Sequence, residues 1–198
     1  MKKLIFFDID TQNDFMLPEG KLYVKGAETI IPKLQMLFNF ARVNNIPIVS
    51  SADAHKENDE EFTQFPPHCV KGTKGQRKIG ATTLTLTVTI PNKKTNINIE
   101  QGTQIVIEKE TFDVFSNPNT VNILKKIRPK NVIVFGVATD YCVKSVVLSL
   151  LKKGYKVIVV EDAIKAVSPE TEKSVIDEMK KNGAKFVSTK DIVSESIF

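Results

Sequence analysis

Cysteine and histidine are scarce in this chain, with two of each among 198 residues. Two cysteines, Cys69 and Cys142, cannot make the disulfide framework of a small secreted domain. No apolar run is long enough to span a membrane. The opening Met1-Lys2-Lys3-Leu4 leads straight into a strand pattern, without the longer apolar region and small-residue cleavage site of a secretory signal. A cytoplasmic location with reduced thiols is therefore expected. Acidic residues fall short of basic ones, 23 against 28, for a formal net charge of +5. The lysines are scattered, however, in short clusters such as 71–78 and 93–94, and form no stripe interleaved with aromatics. A solvated surface is expected, and nucleic acid is not expected as a partner. A hydrophobic fraction of 41% against 26% charged residues is enough to bury a core, and one domain over 1–198 is expected.

What is present is a regular alternation of strand and helix patterns. Residues 3–9 form a short, apolar, aromatic-rich run typical of a buried strand. Ile30, Ile31, Leu34, Leu37, Phe38 and Ala41 lie at helical spacing within 27–44. A second strand follows at 46–50. Further strands are predicted at 104–108, 131–137, 155–160 and 184–188, with helices at 118–128, 141–153 and 169–182. Ser168-Pro169 supplies a side-chain cap and a first-turn proline for the last of these helices. The pattern implies a three-layer α/β/α sandwich around a mainly parallel six-stranded sheet. Two stretches stand apart. Residues 51–80 have neither period and are rich in charge, Gly and Pro, and a loop of that length inside a domain is usually functional. Residues 83–90 alternate Thr with Leu, Leu, Val and Ile. They predict a half-buried strand in a small β excursion around 82–100, antiparallel with 96–99, for which a subunit contact in a homo-oligomer is one role.

In open α/β sheets ligands bind beyond the carboxyl ends of the strands. Asp10, Asp53, Lys109 and Cys142 fall at or just after four such ends. Each has a bland reading alone: a turn carboxylate, a surface lysine, a small buried hydrophobe. Together they supply a nucleophile, a carboxylate that can move protons and a cation that can hold it ionised. Cys142 also starts a helix pattern, where unpaired N–H groups and the helix dipole favour a thiolate. Both histidines lie in the irregular loop. Asp53-Ala54-His55 places two ligand side chains on one side of an extended segment, and His68 can close the site. A carboxylate with two imidazoles suits zinc, iron or manganese.

Five blocks in order, Asp10-Thr11-Gln12-Asn13-Asp14-Phe15, Asp53-Ala54-His55, His68-Cys69-Val70-Lys71-Gly72-Thr73-Lys74-Gly75, Lys109 and Gly136-Val137-Ala138-Thr139-Asp140-Tyr141-Cys142-Val143, resemble the isochorismatase-like cysteine hydrolases. Within that family the similarity is greatest to nicotinamidases. The resemblance implies an amidase that converts nicotinamide to nicotinate and ammonia through a thioester, feeding NAD salvage. Another small amide or carbamoyl compound is the alternative substrate. It makes Cys142 the nucleophile, Asp10 the proton carrier and Lys109 the third catalytic member. A cis peptide between Val137 and Ala138 is implied, aiming the Ala138 and Cys142 N–H groups at an oxyanion. Asp53, His55 and His68 match the family's metal ligands, and Glu61 matches the fourth ligand of some members, with Asp59 and Glu60 close by. Zinc is the expected divalent ion, iron and manganese being the alternatives. Phe15, Phe65 and Ala138 match substrate contacts, Phe65 standing where tryptophan is common. The chain departs from many nicotinamidases after Lys109, and it contains no tryptophan. Cys69 is expected to pack instead of binding metal.

Overall fold

The first strand, β1 (Leu4–Ile9), lies in the middle of a sheet whose order is β3-β4-β2-β1-β5-β6-β7. The computed structural model describes residues 4–98 and 104–194. Its other strands are β2 (Ile48–Asp53), β3 (Thr87–Ile90), β4 (Gln104–Lys109), β5 (Asn131–Val137), β6 (Lys156–Lys165) and β7 (Lys185–Val187). All six neighbouring pairs are parallel. Helices α2 (Ile31–Val43), α3 (Thr120–Ile127), α4 (Lys144–Lys152) and α5 (Pro169–Lys181) fill the crossovers, with one-turn helices α1 (Asn13–Met16) and α6 (Thr189–Val193) beside them.

Both faces of the sheet are covered, which is why β1 carries bulky apolar side chains at successive positions. Ile5, Phe7 and Ile9 pack with residues of α3, α4 and α5. Phe6 faces the other way, onto Phe135 and the α2 residues Leu34, Leu37 and Phe38. Each such side chain contributes roughly 1.5–3 kcal/mol by burial.

Among the described residues the sheet has seven strands, not six. The Thr-rich segment supplies the seventh as a parallel edge strand, with Thr87 opposite Gln104 and Ile90 opposite Ile107. It is not an antiparallel excursion: residues 96–98 form no strand, and Ile99 and Glu100 lie outside the described residues, as does Lys3. Nor is it half-buried. Val88 is exposed with Thr87 and Thr89, and only Ile90 is covered. An alternating pattern specifies two unlike faces, and at a sheet edge beyond the reach of the helices both can face water.

β1 and β5 stay in register from Leu4↔Asn131 to Ile9↔Gly136. Gly136 has φ +120°, and a Cβ there would lie 2.1 Å from the Ile9 carbonyl oxygen. Only glycine lets the two strands meet at that level, one residue from Asp10. The Ser168 hydroxyl does not cap α5 as expected; it donates to Glu170 at 2.7 Å. The Asp140 carboxylate, from the turn after β5, accepts instead from Val167 and Ser168 N–H, each at 3.0 Å. The helix is therefore docked by a residue distant in sequence.

Candidate active site

Four adjacent strands deliver four side chains to one sheet edge. Lys109 ends β4, Asp53 ends β2, Asp10 follows β1, and Cys142 lies in the Thr139–Val143 turn between β5 and α4. All four are buried. Asp10 has φ +45°, a left-handed conformation that Asp tolerates better than most residues and that turns the chain away from the strand direction. Its Oδ1 accepts from the Ser51 hydroxyl at 2.7 Å, and its Oδ2 lies 2.8 Å from Lys109 Nζ. Lys109 Nζ also bonds Asp53 Oδ1 and lies 3.5 Å from Cys142 Sγ. One atom each of Asp10, Asp53 and Cys142 falls within a 4.8 Å cluster.

The electrostatics follow from burial, from the Lys109 ammonium and from His55. Burial pulls the Lys109 pKa down, but Asp10 and Asp53 outweigh it, so the ammonium is held well above its ordinary range. Burial raises the Asp10 carboxyl, Asp53 adds to that, and Lys109 offsets it only in part. Asp53 ends below its usual value, since Lys109 and His55 overcome its burial. Burial pushes the Cys142 thiol well up, more than Lys109 lowers it. Burial therefore works against the thiolate that a helix start favours, and Lys109 and the helix start work for it.

The Val137–Ala138 peptide is cis. The Ala138 carbonyl accepts from Tyr141 and Val143 N–H at 3.1 and 3.0 Å, which closes the turn around Cys142. Beside it is a cavity of about 60 Å³. Its walls include Phe15, Phe65, Phe112 and Tyr141, with Cys142 and Ala138 on one side and Asp53, His68 and Glu61 on another. Phe65, Phe112 and Tyr141 form a ring cluster at centroid distances of 5.4–6.2 Å. Phe112 and Tyr141 had no place among the sequence candidates. The only hint was that Phe112 falls in the stretch after Lys109 that departs from the nicotinamidase pattern.

Asp53, His55 and His68 form a second cluster, each offering an atom within 4.8 Å of the others. Their fit to a cation can be judged from the donors. Neither ring nitrogen of buried His55 has a hydrogen bond of good geometry: Nδ1 lies 3.1 Å from Asp59 Oδ2, and Nε2 lies 3.9 Å from Asp53 Oδ2. His68 Nδ1 lies 2.8 Å from the Pro66 carbonyl, which selects the tautomer leaving Nε2 as a free donor atom to a metal. Glu61 Oε1 sits 3.8 Å from that Nε2. Burial lowers the His55 pKa, but Asp53 and Asp59 push it up to about 9, so a proton offsets local negative charge. Orphaned imidazole nitrogens and excess carboxylate fit a divalent ion. Asp59 contacts His55 and caps the Glu60–Thr63 turn, accepting from the Glu61 N–H at 3.0 Å. Cys69 belongs to neither cluster; it packs in the core and donates its N–H to Asp14 Oδ2 at 2.7 Å.

An isochorismatase domain matches residues 5–191. The chain belongs to the isochorismatase family. It is a hydrolase of that class, built on the α/β/α fold, with an Asp53–His55–His68 cluster of metal-ligating types that shares Asp53 with the Cys142 cluster. The nicotinamidase of Saccharomyces cerevisiae is 28% identical over 216 residues, covering 91% of this chain and 96% of the yeast protein. An Arabidopsis thaliana relative named "Probable inactive nicotinamidase" is 26% identical, covering 89% and 88%. The solved pyrazinamidase of Pyrococcus horikoshii in complex with zinc superposes with a TM-score of 0.78 at 29% identity, covering 94% of this chain and 99% of that one. No helix among the described residues is long and apolar enough to cross a membrane.

Proposed function

We propose that this family member is a metal-assisted nicotinamidase, releasing nicotinate and ammonia from nicotinamide for NAD salvage. The observation that carries the reading is Lys109, buried within 2.8 Å of Asp10 and 3.5 Å of Cys142, while Cys142 itself lines an aromatic cavity that Asp53, Glu61 and His68 line as well. Similarity to nicotinamidases of yeast and Escherichia coli supports the choice of substrate.

In this reading Asp10 accepts the Cys142 proton as the thiol attacks the amide carbonyl, and Lys109 stabilises the charges left behind. The Ala138 and Cys142 N–H groups hold the oxyanion. Such donors are worth about 2.7–4 kcal/mol each in comparable sites. Asp10 then protonates the leaving ammonia, which leaves a thioester on Cys142. Asp10 next deprotonates a water that attacks the thioester, and nicotinate departs as the thiol is restored. Phe15 and Phe65 flank the ring. Asp53, His55, His68 and Glu61 would hold the divalent ion, zinc first among the candidates. When bound, that ion supplies a Lewis-acid anchor for a ring nitrogen, a template role.

The test is ammonia release from nicotinamide by zinc-loaded protein, with Cys142→Ala as the control. Turnover by wild type alone supports the reading. Turnover of other small amides or carbamoyl compounds, with none of nicotinamide, replaces it with a related cysteine hydrolase activity.

A further inference from the structure

β1 pairs with β2 only as far as Asp8↔Ser50. Beyond that point the chain turns at Asp10, and β1 has no backbone left to pair with the end of β2. Asp53 on β2 is paired on its other side, where it sits opposite Lys109 of β4. On the open side the fully buried Gln12 side chain takes the missing place. Its Oε1 accepts from Asp53 N–H at 2.7 Å, and its Nε2 donates to the Asp53 carbonyl at 2.8 Å. The same Nε2 donates to the Gln76 carbonyl at 2.7 Å, which ties in the loop that carries both histidines. A primary carboxamide offers an acceptor and a two-hydrogen donor in one plane, as a peptide group does, and these contacts use both ends of it.

What Gln12 holds is a shared carboxylate. Asp53 Oδ1 bonds Lys109, while Oδ2 points toward His55 Nε2 across 3.9 Å. A rotation or small shift of Asp53 would alter both sides together.

We propose that Gln12 is a positioning residue. Its carboxamide continues the β1–β2 ladder by one rung and holds Asp53 where a single carboxylate serves both the cation cage and Lys109. This rests on the reading of Asp53 as a metal ligand.

The experiment measures Zn²⁺ affinity by competition with a chromophoric chelator, and the visible absorption of the Co²⁺-loaded protein, in wild type, Gln12→Glu, Gln12→Leu and Asn13→Ala. Gln12→Glu keeps the size and the acceptor but loses the donor, so it carries the test if Gln12→Leu does not fold. Asn13→Ala removes a neighbouring exposed hydrogen bond to the Lys74 carbonyl without touching Asp53, and reports general loosening of the segment. The expected result is a Zn²⁺ affinity lowered about ten-fold or more in both Gln12 variants, the usual scale for a partner that orients a ligand. An altered Co²⁺ spectrum should accompany it, with Asn13→Ala unchanged on both counts. Folded Gln12 variants that bind Zn²⁺ within two-fold of wild type, with the same Co²⁺ spectrum, overturn the proposal. Wild-type protein that takes up neither ion overturns the metal reading itself and this inference with it. None of these readouts needs a substrate, so an error in the choice of amide leaves the test intact.

Discussion

Lys109 is a buried ammonium between two buried carboxylates, and its removal leaves like charges facing each other in low dielectric. Lys109→Ala should therefore lower stability by about 3–5 kcal/mol, as breaking a buried pair from one side does. Urea unfolding measures this, and a loss below 1 kcal/mol would show that water enters to solvate the pair. Cys142→Ala should behave in the opposite way. It deletes one small group from the core edge and leaves the fold intact, and on the proposed nicotinamidase reading it lowers nicotinamide turnover by about 10⁴-fold or more. Measurable turnover by that variant near the wild-type rate would remove Cys142 from the chemistry. Gly136→Ala should cost about 2 kcal/mol or more, because the added methyl meets the Ile9 carbonyl at 2.1 Å and the backbone conformation is unfavourable for alanine. At this scale the sequence was most legible where a residue has a rare chemical capability. Two histidines and two cysteines leave few ways to assemble a site. Gln12, Asp14 and Asp140 were not legible as supports, because a buried amide or carboxylate shows its use only through its partners. Asp14 accepts from Lys21 N–H at 3.0 Å within its own segment and from Cys69 N–H at 2.7 Å, 55 residues away along the chain.

β6 runs on to Lys165, and Asp162 near its end fastens two other elements. Its Oδ1 accepts from the Thr189 N–H and hydroxyl at the start of α6, at 2.6 and 2.8 Å, and its Oδ2 pairs with Lys33 of α2 at 3.2 Å. Partial burial raises the Asp162 pKa, but these donors bring it below the ordinary carboxylate value. The folded-state pKa is thus depressed. The stabilisation is present above the unfolded carboxylate value, near 3.9, and is lost as pH falls through the lower folded-state value. Asp162→Asn should accordingly destabilise by about 1 kcal/mol at pH 7, with the difference from wild type shrinking in strong acid. Parallel urea titrations at both pH values test it, and a pH-independent difference would assign the effect to packing. The strand and helix patterns were legible wherever both faces of an element meet the core. They misled at the sheet edge, where the alternation of Thr83 to Ile90 reflects strand propensity more than burial. They also missed the continuation of β6 past Val160, whose charged residues Glu161, Asp162 and Lys165 hide a strand that is paired to β5 and held by side-chain contacts.

The strand order of the whole molecule brings the site together, and no local pattern records it. Sequence alternation implies parallel crossovers, yet the order β4-β2-β1-β5, which lines up Lys109, Asp53, Asp10 and Cys142, is a property of the folded sheet. If a divalent ion completes this assembly, its removal should be felt globally. With free Zn²⁺ at a hundred-fold excess over its dissociation constant, binding adds about 2.7 kcal/mol to stability. Chelation should then lower the melting temperature by about 5–10 °C for a chain of this size, and zinc should restore it. An unchanged melting temperature would mean that no ion binds the native state selectively. The central place of β1 has a further consequence during synthesis. This aromatic strand is made long before β5, and one of its two flanks stays open until β5 emerges, because its pairing with β5 joins distant parts of the chain. Until then Phe6 and Phe7 lie on a strand with an unsatisfied edge, the kind of segment that recruits neighbouring chains. Fragments ending before Asn131 should be insoluble and bind chaperones. Recovery of solubility should coincide with inclusion of β5 and α4, the same elements that complete the site, so that appearance of a reactive Cys142 marks the end of the hazardous interval.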